Sequence, residues 1–189
     1  MKTNLLKNFS LVLLLNSSLF AIENGVYLEL GAGRGYEDSV QVEETTYTYE
    51  RDYILNAIIG YQYERYRVEL ETRYKTDSLY SAAILNDSHI RTSGDFTQTT
   101  EMINAYYSGY NATKFITSIG AGLGVTTKEL QNTLKSSSIF SAQALLSVGY
   151  RVTENFILST KYSFFYTQKS GAFKADTENT FLFSARYIF

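Results

Sequence analysis

Apolar and polar positions alternate with a period of two along most of this chain. Near its end, Phe181, Phe183, Ala185, Tyr187 and Phe189 share one parity, while Leu182, Ser184, Arg186 and Ile188 take the other. A strand puts two such sets on opposite faces. Residues 26–33 set Val26, Leu28, Leu30 and Ala32 against Tyr27, Glu29, Gly31 and Gly33. Residues 49–63 set Tyr53, Leu55, Ala57, Ile59, Tyr61 and Tyr63 against Asn56, Ile58, Gly60 and Gln62. After Glu64 and Arg65, residues 66–75 alternate most cleanly: Tyr66, Val68, Leu70, Thr72 and Tyr74 oppose Arg67, Glu69, Glu71, Arg73 and Lys75. Further alternating segments run over residues 99–110, 114–126, 140–152 and 156–166. The pattern predicts eight strands.

The gaps between segments alternate in length. They are short after the second, fourth and sixth segments. They are long after the first, third, fifth and seventh, at about 36–48, 76–98, 127–139 and 167–177. One apolar, ring-rich face per strand and alternating short and long connections are the marks of a transmembrane barrel with short periplasmic turns and long external loops. A soluble sheet exposing such an edge invites aggregation, whereas a closed barrel has no edge. Tyr66 and Tyr74 share a face eight residues apart, as do Phe181 and Phe189. Eight residues tilted about 40° span about 20 Å of depth, close to the apolar band between aromatic girdles. The expected fold is therefore all-β: an eight-stranded antiparallel up-and-down transmembrane β-barrel.

Composition narrows the chemistry. The 189 residues include 17 Tyr and 12 Phe but no Trp, Cys or Pro. Tyrosine suits a boundary where one end of the ring is wet, and the lack of proline suits paired strands. No disulfide, thiolate metal site or cysteine nucleophile can form. With 17 Lys+Arg against 19 Asp+Glu, the chain lacks the basic excess of a nucleic-acid binder. Residues 1–21 read as a secretory signal: Lys2 and Lys7, then the apolar core Leu11-Val12-Leu13-Leu14-Leu15, then a small Ala21. The apolar run is too short to span a bilayer. The expected division is signal 1–21 and barrel 22–189, placed in the bacterial outer membrane.

The inward parity carries charge: Glu29, Arg67, Glu69, Glu71, Arg73, Lys75, Arg151, Lys161 and Arg186, with Asp52 and Glu178 nearer the outer mouth. Eight strands enclose only enough room for side chains, and buried charge must be paired. A packed interior charge network is expected rather than an open pore. Gly120, Gly122 and Gly124 are expected to leave space for long arginines.

The segments Tyr-Leu-Glu-Leu-Gly-Ala-Gly (27–33), Gly-Ala-Gly-Leu-Gly (120–124), Ala-Gln-Ala…Gly-Tyr-Arg-Val (142–152) and the terminal Phe189 resemble the small eight-stranded outer-membrane barrels. These include the transmembrane domain of outer membrane protein A, outer membrane protein X and the opacity-type proteins. The resemblance implies outer-membrane lipid and the barrel-assembly machinery as partners. It also implies an assembly signal in Phe183, Tyr187 and Phe189.

Other motifs weigh less. Neither glycine-rich run keeps the spacing of a nucleotide loop, so no cofactor is expected. His89, the only histidine, lies in Asn86-Asp87-Ser88-His89. Sequence adjacency is not triad geometry, and one histidine makes a poor metal site. Glu69 and Glu71, flanked by Arg67 and Arg73, read as neutralised charges rather than an acid–base pair. Residues 40–49 have strong strand character. They read either as a hairpin extension offering a sheet edge to a partner or as a tip without one. The leading functional reading is a non-enzymatic outer-membrane barrel with a structural and surface-interaction role, extending to adhesion by an extracellular partner of the long loops. Two alternatives stay open: a narrow porin-like channel, and a lipid-A-modifying enzyme with His89 as its one nameable catalyst.

Overall fold

The computed structural model describes residues 24–36, 40–42, 45–84, 95–110, 114–130, 135–169 and 175–189. The proposed signal segment 1–21 and His89 lie outside them. Among the described residues nine strands form a single sheet: β1 (Gly25–Tyr36), β2 (Val40–Val42), β3 (Thr45–Tyr63), β4 (Tyr66–Ile84), β5 (Asp95–Tyr110), β6 (Phe115–Leu130), β7 (Lys135–Arg151), β8 (Phe156–Thr167) and β9 (Asp176–Ile188). All pairings are antiparallel between sequence neighbours, except that β1 pairs with both β3 and β9. Those two pairings close the ring. Eight strands make the barrel, and β2 adds three residues alongside the start of β3.

The register fixes the shape. A walk from Arg186 through Glu29, Ile58, Glu71, Met102, Gly124, Ser141 and Thr167 returns to β9 at Asp176, displaced by ten residues. With eight strands this stagger sets a tilt of about 40°.

Outward positions are apolar. Leu30, Leu55, Leu70, Ile103, Ile119, Leu123 and Phe183 are exposed on the wall. Rings cluster at two depths. Near the short turns Tyr66 meets Tyr107 at 5.6 Å, Phe115 meets Tyr150 at 5.2 Å and Tyr187 meets Phe189 at 5.1 Å. At the other end Tyr36 and Tyr162 both approach Phe181, at 6.1 and 5.0 Å.

Strands run further than the hydrophobic alternation suggested. Much of the expected 76–98 and 127–139 gaps is strand, because β4 continues to Ile84, β6 to Leu130 and β7 begins at Lys135. Backbone pairing continues above the apolar band even where the side-chain pattern no longer alternates. Both β3 and β4 have 19 residues, against 12 for β1 and 12 for β8. Their register continues to Thr45↔Ile84, so one hairpin stands above the rest of the wall.

At the opposite end Glu64 and Arg65 form a two-residue hairpin loop. Glu64 has φ 50°, a conformation usually left to glycine in such loops. It is held from both sides: Glu64 N donates to Asn24 Oδ1 at 2.5 Å, and Ser108 N donates to Arg65 O at 2.7 Å.

Leu70 lies four residues from each girdle tyrosine on β4, at mid-depth. Leu70→Arg is expected to destabilise the barrel by about 2–4 kcal/mol, and Tyr74→Arg at the girdle by about 0–1 kcal/mol. Urea unfolding in lipid vesicles measures both. Equal costs would contradict the depth assignment.

Candidate functional site

The interior is layered along the axis. Next to the short turns, Tyr27, Ile58, Ile116, Ile157 and Ile188 form an apolar cluster. All five belong to the inward parity; Tyr27, Ile116, Ile157 and Ile188 lie within two positions of a strand end, whereas Ile58 sits further up β3, paired with Glu29 and Glu71.

Above it lies a dense ionic cluster. Arg186 Nε donates to Glu29 Oε2 at 2.7 Å, the two residues being direct cross-strand partners. Lys161 Nζ lies 2.5 Å from Glu29 Oε1 and 3.7 Å from Glu69 Oε2. Strands β8 and β4 stand on opposite sides of the ring, so Lys161 crosses the lumen. Arg67 Nε sits 3.1 Å from Glu69 Oε1, and the Tyr27 hydroxyl donates to the same oxygen at 2.6 Å. Rings complete the packing: Arg67 stacks 4.2 Å over Tyr106, and Arg186 4.7 Å over Tyr27.

A second cluster centres on Glu71. Asn56 Nδ2 donates to it at 3.0 Å, Asn104 Nδ2 at 2.8 Å, Gln143 Nε2 at 3.1 Å and Arg73 Nη2 at 3.2 Å. Arg73 also donates to Gln143 Oε1 at 3.0 Å and lies 5.4 Å over the Phe165 ring on the far wall. Nearer the outer mouth, Lys75 pairs with Glu178 at 3.3 Å. There Lys128 pairs with Asp176, which also accepts from Thr167 Oγ1.

Eight of the nine charged residues singled out from the sequence thus meet in these clusters. Arg151 does not. It is the last residue of β7, half-buried at the rim, and its guanidinium joins none of the described ion pairs. At the strand end water can solvate a cation without a partner. The expected use of the glycines also needs correction. A Cβ on Gly122 would lie 1.9 Å from Asn104 Oδ1, and one on Gly120 2.5 Å from Tyr106 Cδ1. The room they leave is filled by their cross-strand partners on β5, and Arg67 packs on Tyr106 rather than on the glycine strand. The Asp52 side chain lies outside the described residues.

Residue-type reasoning singled out charges and passed over their neutral partners. Asn56, Asn104, Gln143, Tyr27 and Tyr106 share the inward parity, and that parity was the signal that could have found them. Lys128 and Asp176 fell inside predicted gaps. Among the described residues, no three of His, Cys, Asp and Glu come together as a metal site.

The arrangement holds charge still and bridges the lumen from wall to wall. A lipid-facing, ring-girdled wall around a polar, ionically paired interior belongs in a membrane. No family model matches the chain. Outer membrane protein PagN of Salmonella typhimurium is 25% identical over 226 aligned positions, spanning 92% of this chain and 93% of that protein. The solved structure of Neisserial surface protein A superposes with a TM-score of 0.67 at 18% identity, covering 87% of this chain and 97% of that one. OprG of Pseudomonas aeruginosa gives 0.55 at 14% identity, covering 88% and 97%. Ail of Yersinia pestis, solved with the heparin analogue sucrose octasulfate, gives 0.51 at 14%, covering 88% and 99%. The chain is a small outer-membrane β-barrel protein. In such a barrel, the hydrophobic surface that would aggregate in water is the surface that meets lipid.

Glu29→Gln strands Lys161 and Arg186 without their carboxylate, and breaking a buried pair in this way costs about 3–5 kcal/mol. Glu71→Gln, among three neutral amides and one arginine, is expected to cost less. Urea unfolding of both variants in the same vesicles checks the ranking, and the reverse order would contradict the partner assignment.

Proposed function

We propose that this protein is a non-enzymatic, non-conducting barrel that anchors a surface-interaction sheet outside the outer membrane. The observation that carries the reading is the β3–β4 hairpin, with 19 residues in each strand. Beyond the end of the β1–β3 register at Ile54, β3 pairs with β4 on one side and with β2 at Val40–Val42 on the other. The segments Val40-Gln41-Val42, Thr45-Thr46-Tyr47-Thr48-Tyr49 and Leu79-Tyr80-Ser81-Ala82-Ala83-Ile84 contain no charged residue and no proline. Charge and proline are the usual guards of an exposed strand edge. An unguarded edge suits strand addition by an extracellular protein, with backbone hydrogen bonds supplying affinity. The likeness to PagN and to Ail, the latter solved with a heparin analogue, supports an outward-facing role.

The same reading makes Phe183 and Tyr187, both exposed near the end of β9, together with Phe189, the signal that directs the chain to the barrel-assembly machinery. Against a porin-like channel stand the apolar cluster at Ile116, Ile157 and Ile188 and the side chains that cross the lumen.

The test is attachment of cells displaying the barrel to immobilised extracellular proteins. Thr46→Lys with Ala82→Lys charges the extension without touching the membrane ring. Attachment is expected to fall about tenfold, equivalent to about 1.4 kcal/mol, with membrane levels unchanged. Undiminished attachment would contradict the surface role. Wild-type protein in planar bilayers is expected to show no single-channel steps, and regular steps would contradict the non-conducting claim.

A further inference from the structure

The ionic cluster around Glu29 and Glu69 does not balance. Among the described residues it contains three cations, Arg67, Lys161 and Arg186, and two carboxylates, with every one of these side chains at most 3% exposed. The neighbouring Glu71 does not supply the missing charge, because it is already held by Arg73, Asn56, Asn104 and Gln143. Nor does the Tyr27 hydroxyl, which donates its proton to Glu69. Side chains this deeply buried are out of reach of bulk counter-ions. An uncompensated buried charge is costly enough that it is normally paired.

Among the described residues, the buried atoms of this cluster without a hydrogen-bond partner are the donors Arg67 Nε, Arg67 Nη2, Lys161 Nζ and the Tyr106 hydroxyl, and the acceptors Glu29 Oε1 and Glu69 Oε2. Arg67 Nε and Lys161 Nζ face those two carboxylates in ion pairs, which leaves Arg67 Nη2 and the Tyr106 hydroxyl as the donors with no facing group. Arg67 and Tyr106 are direct cross-strand partners on β4 and β5. The guanidinium lies 4.2 Å over the Tyr106 ring, so both donors belong to one stacked pair. The Lys161 ammonium is 5.9 Å from the same ring. Buried donors in folded proteins are satisfied by protein, water or an ion. Here the unmet donors coincide with an unmet positive charge.

We propose that the barrel encloses a single monovalent anion of the halide class, bound between Arg67 Nη2 and the Tyr106 hydroxyl. One excess cation calls for one negative charge, and the adjacent Glu29 and Glu69 would repel a second. Two donors are enough for a spherical halide and too few for a phosphate or sulfate, each of which presents several oxygens. The anion is taken up as the strands close and is then buried with the cluster. It serves as the counter-charge that lets Lys161 bridge Glu29 and Glu69 across the lumen. This inference does not depend on the surface role of the β3–β4 hairpin.

The test uses the full barrel, refolded and crystallised in sodium bromide, with diffraction recorded at the bromine absorption edge. The expected result is one buried anomalous peak within hydrogen-bond reach of Arg67 Nη2 and Tyr106 Oη, absent in Tyr106→Phe, which keeps the stacked ring. If Tyr106→Phe does not assemble, Arg67→Lys keeps the charge, removes Nη2 and is expected to lose the peak. Water density without anomalous signal, peaks on the surface alone, or a peak that survives these substitutions would overturn the proposal. Unfolding temperatures in bromide and in sulfate at equal ionic strength give the solution counterpart. Wild type is expected to gain several degrees in bromide and Tyr106→Phe none, and equal gains in both would overturn it.

Discussion

Every other feature of this molecule follows from one constraint: in hydrocarbon, each backbone N–H and C=O must find its partner within the protein. A sheet meets that demand only when its first and last strands pair. Here β1 bonds to β9 on one side and to β3 on the other, and no strand of the membrane ring is left with an edge. Closure by eight strands with a ten-residue stagger fixes a narrow cylinder. The narrow bore then dictates that the interior is filled by side chains rather than by solvent.

Polarity is inverted relative to a soluble protein, and the energetics invert with it. Outside, leucine, isoleucine and aromatic rings face lipid, with rings gathered at the two depths where water begins. Inside, carboxylates, guanidinium and ammonium groups replace a greasy core. Such an interior is stable only if each charge has partners. The Glu71 cluster shows how this is done, with one carboxylate meeting three amides and one arginine. Lys161 and Arg73 reach across the bore, so the network ties opposite walls together and also obstructs a path through them. The barrel thereby becomes a rigid base, and the longest strands, β3 and β4, are free to project beyond it.

Much of this was legible in the sequence because a period of two has one meaning on a closed sheet. The parity of residues 66–75 alone separates Leu70 and Tyr74 from Glu69 and Arg73. Short gaps at Glu64-Arg65 and at 153–155 marked the turns. Strand length was not legible. Beyond the apolar band the alternation along β3 and β4 fades, and residues 76–84 read as loop although their backbone stays paired. Interior partners were half-legible. Charged residues announce themselves by type, whereas Asn104 or Tyr106 becomes a partner only once the register sets it against Gly122 or Arg67. Arg151 carried the right parity but the wrong depth, and depth depends on where β7 ends.

The central claim is that two successive residues on one strand live in opposite environments, one in lipid and the other in a closed ionic interior. The chain has no native cysteine, so single cysteines placed one at a time over residues 144–148 on β7 and labelled with a nitroxide probe report this directly. With the barrel in vesicles, labels at 144, 146 and 148 are predicted to respond to lipid-dissolved oxygen, and those at 145 and 147 to respond neither to oxygen nor to a water-soluble nickel reagent. Oxygen response without a two-residue period, or ready access of the nickel reagent to 145 and 147, would contradict the account.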